Sequence, residues 1–376
     1  MISKKTRITF NQIKEFLLKR GFVVIKKSNK KLLNNDFKPL YYTFLSSLAL
    51  ILIFFLIPTI VEFKKNTTIA SKEIENNSKT NFEKVLDKKN LKKFESTDEG
   101  LGTEYFEDIL DDEVPEDPVR FSAQEIEKLF RETDYNLINV RKTKLVQPFP
   151  IAHLPKEMKI IKGTKKKKNL FIKIILPLIL EENNRVKLDR KKLFAILNKS
   201  NNSAAEKRWL NQKFKQYGVL NKDLLTLKIR MDVIPVSLAI AQAAKETGWG
   251  KSRFALEGNA LYGQWTWSGE GIKPAGADAD TTHKVMKFKV LKTSVKAYLR
   301  NLNTHSSYKR FRLVRAVLRD NGKNLDSMLL VNYLDKYAAT GEKYIIILKK
   351  IIKQNNLKDF DDVQLMPSSI QLKSLI

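Results

Sequence analysis

The stretch that most constrains this chain is residues 233–265, VIPVSLAIAQAAKETGWGKSRFALEGNALYGQW, where an apolar helical pattern runs into a carboxylate and then breaks on closely spaced glycines. Val236, Ala239, Ile240, Ala243, Ala244 and Thr247 share one face at helical spacing, with Leu238 and Lys245 opposite. Pro235 suits a first helical turn, and Gly248 and Gly250 suit a helix end. Glu246 follows one turn after Gln242 and Ala243, at the edge of the apolar stripe. A carboxyl group beside apolar surface loses solvation of its charged form, so its pKa rises and it holds a proton nearer neutrality, as a general acid must. The same spacing also fits a glutamate on a wet helix end, the commoner place for that residue.

Within this stretch KETGWGKSRFALEGNALYGQW resembles the core motif of the bacterial glucosaminidase domain, glycoside hydrolase family 73, and most closely its Bax-type branch. The resemblance is carried by Glu246, Thr247, Gly248, Trp249, Gly250, Ser252, Phe254, Ala255, Asn259, Leu261, Tyr262 and Gly263. LPLILEENNRVKLDR before it, and NLNTHSSYKRF and KYAATGEKYIIILKKIIKQNNL after it, extend the resemblance over residues 144–357. It implies a mainly α, lysozyme-like domain with a small β-lobe, holding peptidoglycan glycan strands in a groove and cleaving the β-1,4 bond after N-acetylglucosamine. Glu246 matches the family's catalytic acid, and Tyr308 matches a tyrosine that lines the cleft near the scissile bond, with Asn303 and His305 beside it. Tyr262, Trp265 and Trp267 offer flat faces for pyranose rings, or equally for a core, and Asn259 and Gln264 complete the expected substrate-binding set. Trp249 reads as a core aromatic.

A second carboxylate is the usual requirement of glycosidases. Several family members carry an acidic residue on the β-lobe strand after a Thr-rich turn, where this chain has Thr282, His283 and Lys284. Glu270, Asp278 and Asp280 are the nearby candidates, and the substrate's own acetamido group is the alternative. A lytic transglycosylase and a non-catalytic wall-binding scaffold are the competing readings.

The 376 residues contain no cysteine, which removes disulfides and thiolate chemistry. His153, His283 and His305 show no metal-site spacing, so no metal or other cofactor is expected. A net charge of +29, from 70 basic and 41 acidic residues, raises nucleic acid as a partner. Its distribution, spread along the chain with a concentration in residues 1–39 and a KKKK run at 165–168, fits anionic lipid and wall carboxylates equally well. Residues 40–61 carry no charge and match the roughly 20 residues that cross a bilayer. The expectation is therefore a single-pass anchor in the bacterial inner membrane, with a basic cytoplasmic segment at 1–39 and the catalytic domain periplasmic or wall-facing. Nucleic acid is then on the wrong side; cleavage of the anchor and oligomeric state stay open.

Residues 62–120 read as a disordered acidic tether with a mean reach of roughly 40 Å, 121–200 as a helical lead-in, 201–360 as the glucosaminidase domain and 361–376 as a tail. Ser122 with Glu125 three residues on predicts a capped helix over 121–130. Residues 144–158 read as an extended, proline-containing piece whose His153 is a packed or exposed loop residue. Residues 169–180 are too short to span a membrane and read as a core helix, with further helices over 204–217 and 221–231. A strand over 285–290 precedes helices over 293–303, 311–318, 325–334 and 341–355.

Overall fold

Apolar periodicity over most of residues 164–354 becomes helix, and the exceptions mark where the chain must turn. In the computed structural model the described residues are 109, 118–266, 270–274 and 283–367. The expected basic segment at 1–39, membrane helix at 40–61, nearly all of the tether and residues 368–376 of the tail lie outside them. Among the described residues no helix is long and apolar enough to cross a membrane.

The helices are α1 (Ala123–Glu132) and α2 (Leu137–Thr143), then, after strand β1 (Leu145–Val146), α3 (Thr164–Leu197), α4 (Ala204–Gln216), α5 (Leu224–Arg230), α6 (Val236–Thr247) and α7 (Arg253–Gly258). Strands β2 (Trp265–Thr266), β3 (Gly271–Ile272) and β4 (Lys284–Met286) follow, and then α8 (Leu291–Thr304), α9 (Lys309–Asp320), α10 (Ser327–Leu330), α11 (Glu342–Gln354) and β5 (Gln364–Leu365). The described residues are thus mainly helical, with a small antiparallel sheet ordered β2-β4-β3. The capping box of Ser122 and Glu125 forms at the start of α1 as the spacing requires. The expected strand over 285–290 is shorter, Lys284–Met286, and beyond it Phe288 N donates to the Gly258 carbonyl at 2.8 Å in place of a neighbouring strand. Residues 325–334 are broken into α10 and a 3-10 turn rather than one helix.

Three expectations are corrected. No boundary separates a lead-in from a domain near residue 200, because one apolar core contains Phe130, Leu154, Phe171, Leu238, Tyr298 and Phe360 alike. Ile109, inside the expected tether, is helical and fully buried in a cluster with Val285, Met286 and Phe288. Residues 361–366, read as tail, are folded: β5 pairs in parallel with β1, with Gln364 donating to the Lys144 carbonyl at 2.9 Å and Met366 to that of Val146 at 2.7 Å.

Helix α6 sits at the centre, packed against α3, α11 and the turn Leu357–Phe360. Leu238, read as facing away from the core, is 0 % exposed, since neighbours surround α6 and no solvent face remains there. Pro235 at the helix start offers no side-chain cap. Asp361 supplies one from the far end of the chain, accepting from Ser237 N and Oγ, both at 2.8 Å. Just upstream, buried Asp232 accepts from Arg319 Nε and Nη2 at 3.1 Å each, with Arg190 and Arg315 within 3.9 Å. Burial pushes the Asp232 pKa up, but these guanidinium groups outweigh it and the net shift is downward.

Two stability predictions follow from these carboxylates. Asp232→Ala leaves buried guanidinium groups without their counter-charge and is expected to cost about 3–5 kcal/mol in urea unfolding. Burial raises the Asp361 pKa from 3.8 to about 6, so the folded state holds this proton more tightly than the unfolded chain. Its contribution is complete below 3.8 and is lost as pH rises through about 6. Thermal unfolding against pH should show that decline in the wild type and not in Asp361→Asn.

Candidate active site

Glu246 lies in the last turn of α6, and the turn that follows is built by its neighbour Thr247. Thr247 Oγ1 donates to the Ala243 carbonyl at 2.7 Å and accepts from Gly250 N at 2.8 Å. The Thr247 carbonyl accepts from Lys251 N and Ser252 N, both at 2.9 Å. Gly248, Trp249 and Gly250 all adopt positive φ, at 58°, 63° and 81°. Gly250 has a second reason to be glycine: a Cβ there would lie 3.0 Å from Phe171 and 3.1 Å from Met158. Trp249 packs edge-on against Phe171 at 5.9 Å with Lys168 over its ring at 4.8 Å, the core role expected for it. Ser252 then caps α7 through Ala255 N at 3.2 Å. The chain returns over the carboxylate at Gly263, φ 65°, where a Cβ would stand 3.6 Å from Glu246 Oε2.

Around Glu246 is a set of tyrosines from distant segments. Tyr298 Oη donates to Gln242 Oε1 at 2.7 Å, Gln242 Nε2 donates to Tyr344 Oη at 3.2 Å, and Tyr344 donates to the Glu246 carboxylate. Tyr337 stacks on Tyr344 at 5.5 Å and donates to the Tyr262 carbonyl at 3.0 Å. Tyr308 lies 5.8 Å from Tyr337 and its hydroxyl accepts from Asn301. Burial raises the Glu246 pKa above the usual carboxylate range, against opposing contributions from Tyr344 and Lys245. Its Oε1 is buried with no hydrogen-bond partner. Burial, and the adjacent Glu246 charge, push the Tyr308 pKa up to about 12, so this hydroxyl stays protonated at neutral pH. The arrangement is one desolvated carboxyl group with an oxygen held from behind and an oxygen unclaimed. Such a group can deliver a proton.

The other expected site residues divide. Tyr308 and Glu246 come together, and His305 sits beside Tyr308 with ring centroids 5.6 Å apart. Gln264 reaches no partner with either amide atom, and both are buried. Trp265 on β2 is 43 % exposed and packs edge-on against His283 at 4.7 Å.

Three substrate-binding assignments are corrected. Tyr262 is 1 % exposed and stacked on Tyr298 at 3.8 Å, so neither ring face is open to a sugar. Asn259, in the left-handed region at the end of α7, donates to the Phe288 and Lys289 carbonyls at 2.9 and 3.0 Å. Its Oδ1 meets His153 Nδ1 at 3.1 Å, so it fastens the loop to the β-lobe and His153 is the packed loop residue expected. Asn303 is buried and donates to the Asp232 carbonyl at 2.9 Å, away from Glu246. Glu270 is also unsuited as a second acid: its side chain is 84 % exposed and 3.8 Å from Lys287 Nζ. Trp267, Asp278 and Asp280 lie outside the described residues. Among the described residues no second carboxylate contributes to the Glu246 shift, and no cluster suited to a metal ion is found.

Gln242, Tyr298, Asn301, Tyr337 and Tyr344 were not singled out in the sequence. Gln242 carried a signal, standing one turn before Glu246 on the same helix. The others reach the site from α8, α11 and the turn before it, and nothing local distinguishes them from core aromatics.

The profile of the family described as mannosyl-glycoprotein endo-beta-N-acetylglucosaminidase (Glucosaminidase) matches residues 221–357. Protein bax of Escherichia coli (strain K12) is 32 % identical over 199 residues, covering 51 % of this chain and 71 % of that protein. No solved structure gives a significant match.

Tyr344→Phe removes the donor that favours ionised Glu246, so the Glu246 pKa is expected to rise further. Carbon-detected NMR titration of the glutamate carboxyl signals, with Glu246→Gln to assign the resonance, measures it.

Proposed function

Since this chain belongs to the Bax-type glucosaminidase family, we propose that it hydrolyses the β-1,4 bond after N-acetylglucosamine in peptidoglycan, with Glu246 as the general acid. The observation that carries the proposal is the buried carboxyl of Glu246, raised in pKa, oriented by Tyr344 and roofed by Gly263. Protonated Glu246 gives its proton to the departing glycosidic oxygen as positive charge grows at the anomeric carbon. Tyr308, protonated and close enough to feel the Glu246 charge, hydrogen-bonds substrate in the same space. Trp265 on the β-lobe supplies a stacking face for a sugar ring.

With no second carboxylate acting on Glu246 among the described residues, assistance by the substrate's acetamido group is favoured, which replaces a protein nucleophile by an intramolecular one. The same observation supports a second reading, a lytic transglycosylase, in which a sugar hydroxyl in place of water captures the anomeric carbon. Residues 40–61 would hold the protein in the inner membrane with this site facing the wall, and residues 62–108 would set its reach.

Digestion of purified peptidoglycan followed by mass spectrometry separates the readings. Reducing N-acetylglucosamine ends are expected for the glucosaminidase, anhydro-muramyl ends for the transglycosylase. Glu246→Gln should lower the rate by about 10²–10⁴-fold at unchanged thermal stability. Because the acid must be protonated, kcat/KM should fall as pH rises through the elevated Glu246 pKa. Glycan binding without cleavage by both proteins would make the chain a wall-binding scaffold.

A further inference from the structure

The chain enters its helical body beside its most basic turn. The Pro118 carbonyl meets His153 Nε2 at 3.0 Å, and Arg120 Nη1 donates to the Leu154 carbonyl at 2.6 Å. Residues 156–168 follow directly, as a 3-10 turn (Lys156–Lys159), a short connection and the first turn of α3. They hold seven lysines against the single acid Glu157. Lys166 pairs with Glu127 at 3.2 Å, and Lys168 is engaged by Asn355 and the Trp249 ring. The side chains of Lys156, Lys159, Lys162, Lys165 and Lys167 make no ion pair or hydrogen bond among the described residues.

Nothing in the fold requires this charge. Gly163, at φ 92°, precedes α3 without a side-chain cap, and no acidic residue stands in the first turn, where the helix dipole favours anions over lysines. Ile160, among the lysines, is 75 % exposed, whereas Leu154 and Met158 just before it are fully buried. A soluble polyanion would meet the lysines and leave Ile160 in water. A second copy of this chain would set lysine against lysine. An anionic bilayer surface suits both features, since its phosphate head groups take the ammonium groups and the boundary beneath them takes an apolar side chain.

We propose that residues 156–162, with the lysines at the start of α3, dock the folded domain onto an anionic phospholipid surface, with Ile160 entering the interface. The chain before Pro118 leads back to the uncharged stretch at 40–61, so a bilayer is within its reach. That last point rests on the reading of residues 40–61 as an anchor; the charge and exposure of the turn do not. The domain then has a parked state on the leaflet and an extended state on its tether, exchanged by salt and lipid charge.

Because the chain has no cysteine, Ile160→Cys carries a unique fluorescent label. The full chain is placed in bilayer nanodiscs of phosphatidylcholine alone, or of phosphatidylcholine and phosphatidylglycerol in equal parts, each with a lipid-borne quencher. Quenching in the anionic discs at low salt, lost at high salt and absent from the zwitterionic discs, is the expected result. Lys159→Glu with Lys162→Glu should lower the ratio of docked to free domain by about tenfold or more. Lys207→Glu with Lys215→Glu, the same charge change on α4, should leave it within about twofold. A label at Leu220→Cys, where the native side chain is 76 % exposed, should stay unquenched. Glu246→Gln should dock like wild type, so failure of the catalytic reading and failure of this one are told apart. If the chain does not insert, which ends the anchor reading alone, co-sedimentation with vesicles of the same two compositions reads the docking. No response to the anionic lipid, equal quenching at position 220, or equal loss in the α4 variant overturns the proposal. A label that responds to soluble polyphosphate and not to lipid overturns it too, and assigns the turn to a wall polyanion.

Discussion

The structure depends on keeping a helix buried on nearly every side while one of its carboxyl groups stays usable. Helix α6 is buried from Val236 to Ala244, with Lys245 and Gly248 exposed at its end, so most of its terminal polar groups are met by the protein. Thr247 meets them at one end with both its hydroxyl and its carbonyl, and Asp361 meets them at the other. Glu246 stands just inside the first of these ends. Its position therefore follows from where the helix can stop, and its raised pKa from the apolar enclosure that makes stopping difficult.

The tyrosines complete this environment without adding charge. Tyr308, Tyr337 and Tyr344 feel the Glu246 charge and Tyr262 stacks on Tyr298, all five with hydroxyls that burial keeps protonated. Donors of this kind hold a carboxylate in place while leaving the local dielectric low, so any charge that forms there is felt strongly. The relay from Tyr298 through Gln242 to Tyr344 ties α8, α6 and α11 together at the point where orientation of Glu246 matters. Fold stability and site geometry share these hydrogen bonds.

The acid and its turn were legible in the sequence because their causes are local. A helical stripe ending in Glu246-Thr247-Gly248-Trp249-Gly250 states both the helix and its end within a few residues. The capping box of α1 and the packed role of Trp249 were readable for the same reason. What was misread has long-range causes. Leu238 was set on a solvent face because a helical wheel does not show that neighbours approach α6 from its other side as well. Tyr262 and Asn259 belong to the resemblance, but the ring of one is covered by Tyr298 and the amide of the other by the β-lobe and His153. Their positions can be kept by packing as readily as by substrate, and no local pattern separates the two.

The cap on α6 has a further consequence, one of timing. Asp361 reaches Ser237 from 124 positions downstream, and β5 closes onto β1 only after that. A chain made from its amino terminus therefore displays Glu246 long before the helix beneath it has both ends secured. Premature termination anywhere between these two points yields a polypeptide that contains Glu246 but not its enclosure. The complete site arrives with the last folded residues, so the order of synthesis itself delays it until the domain is whole.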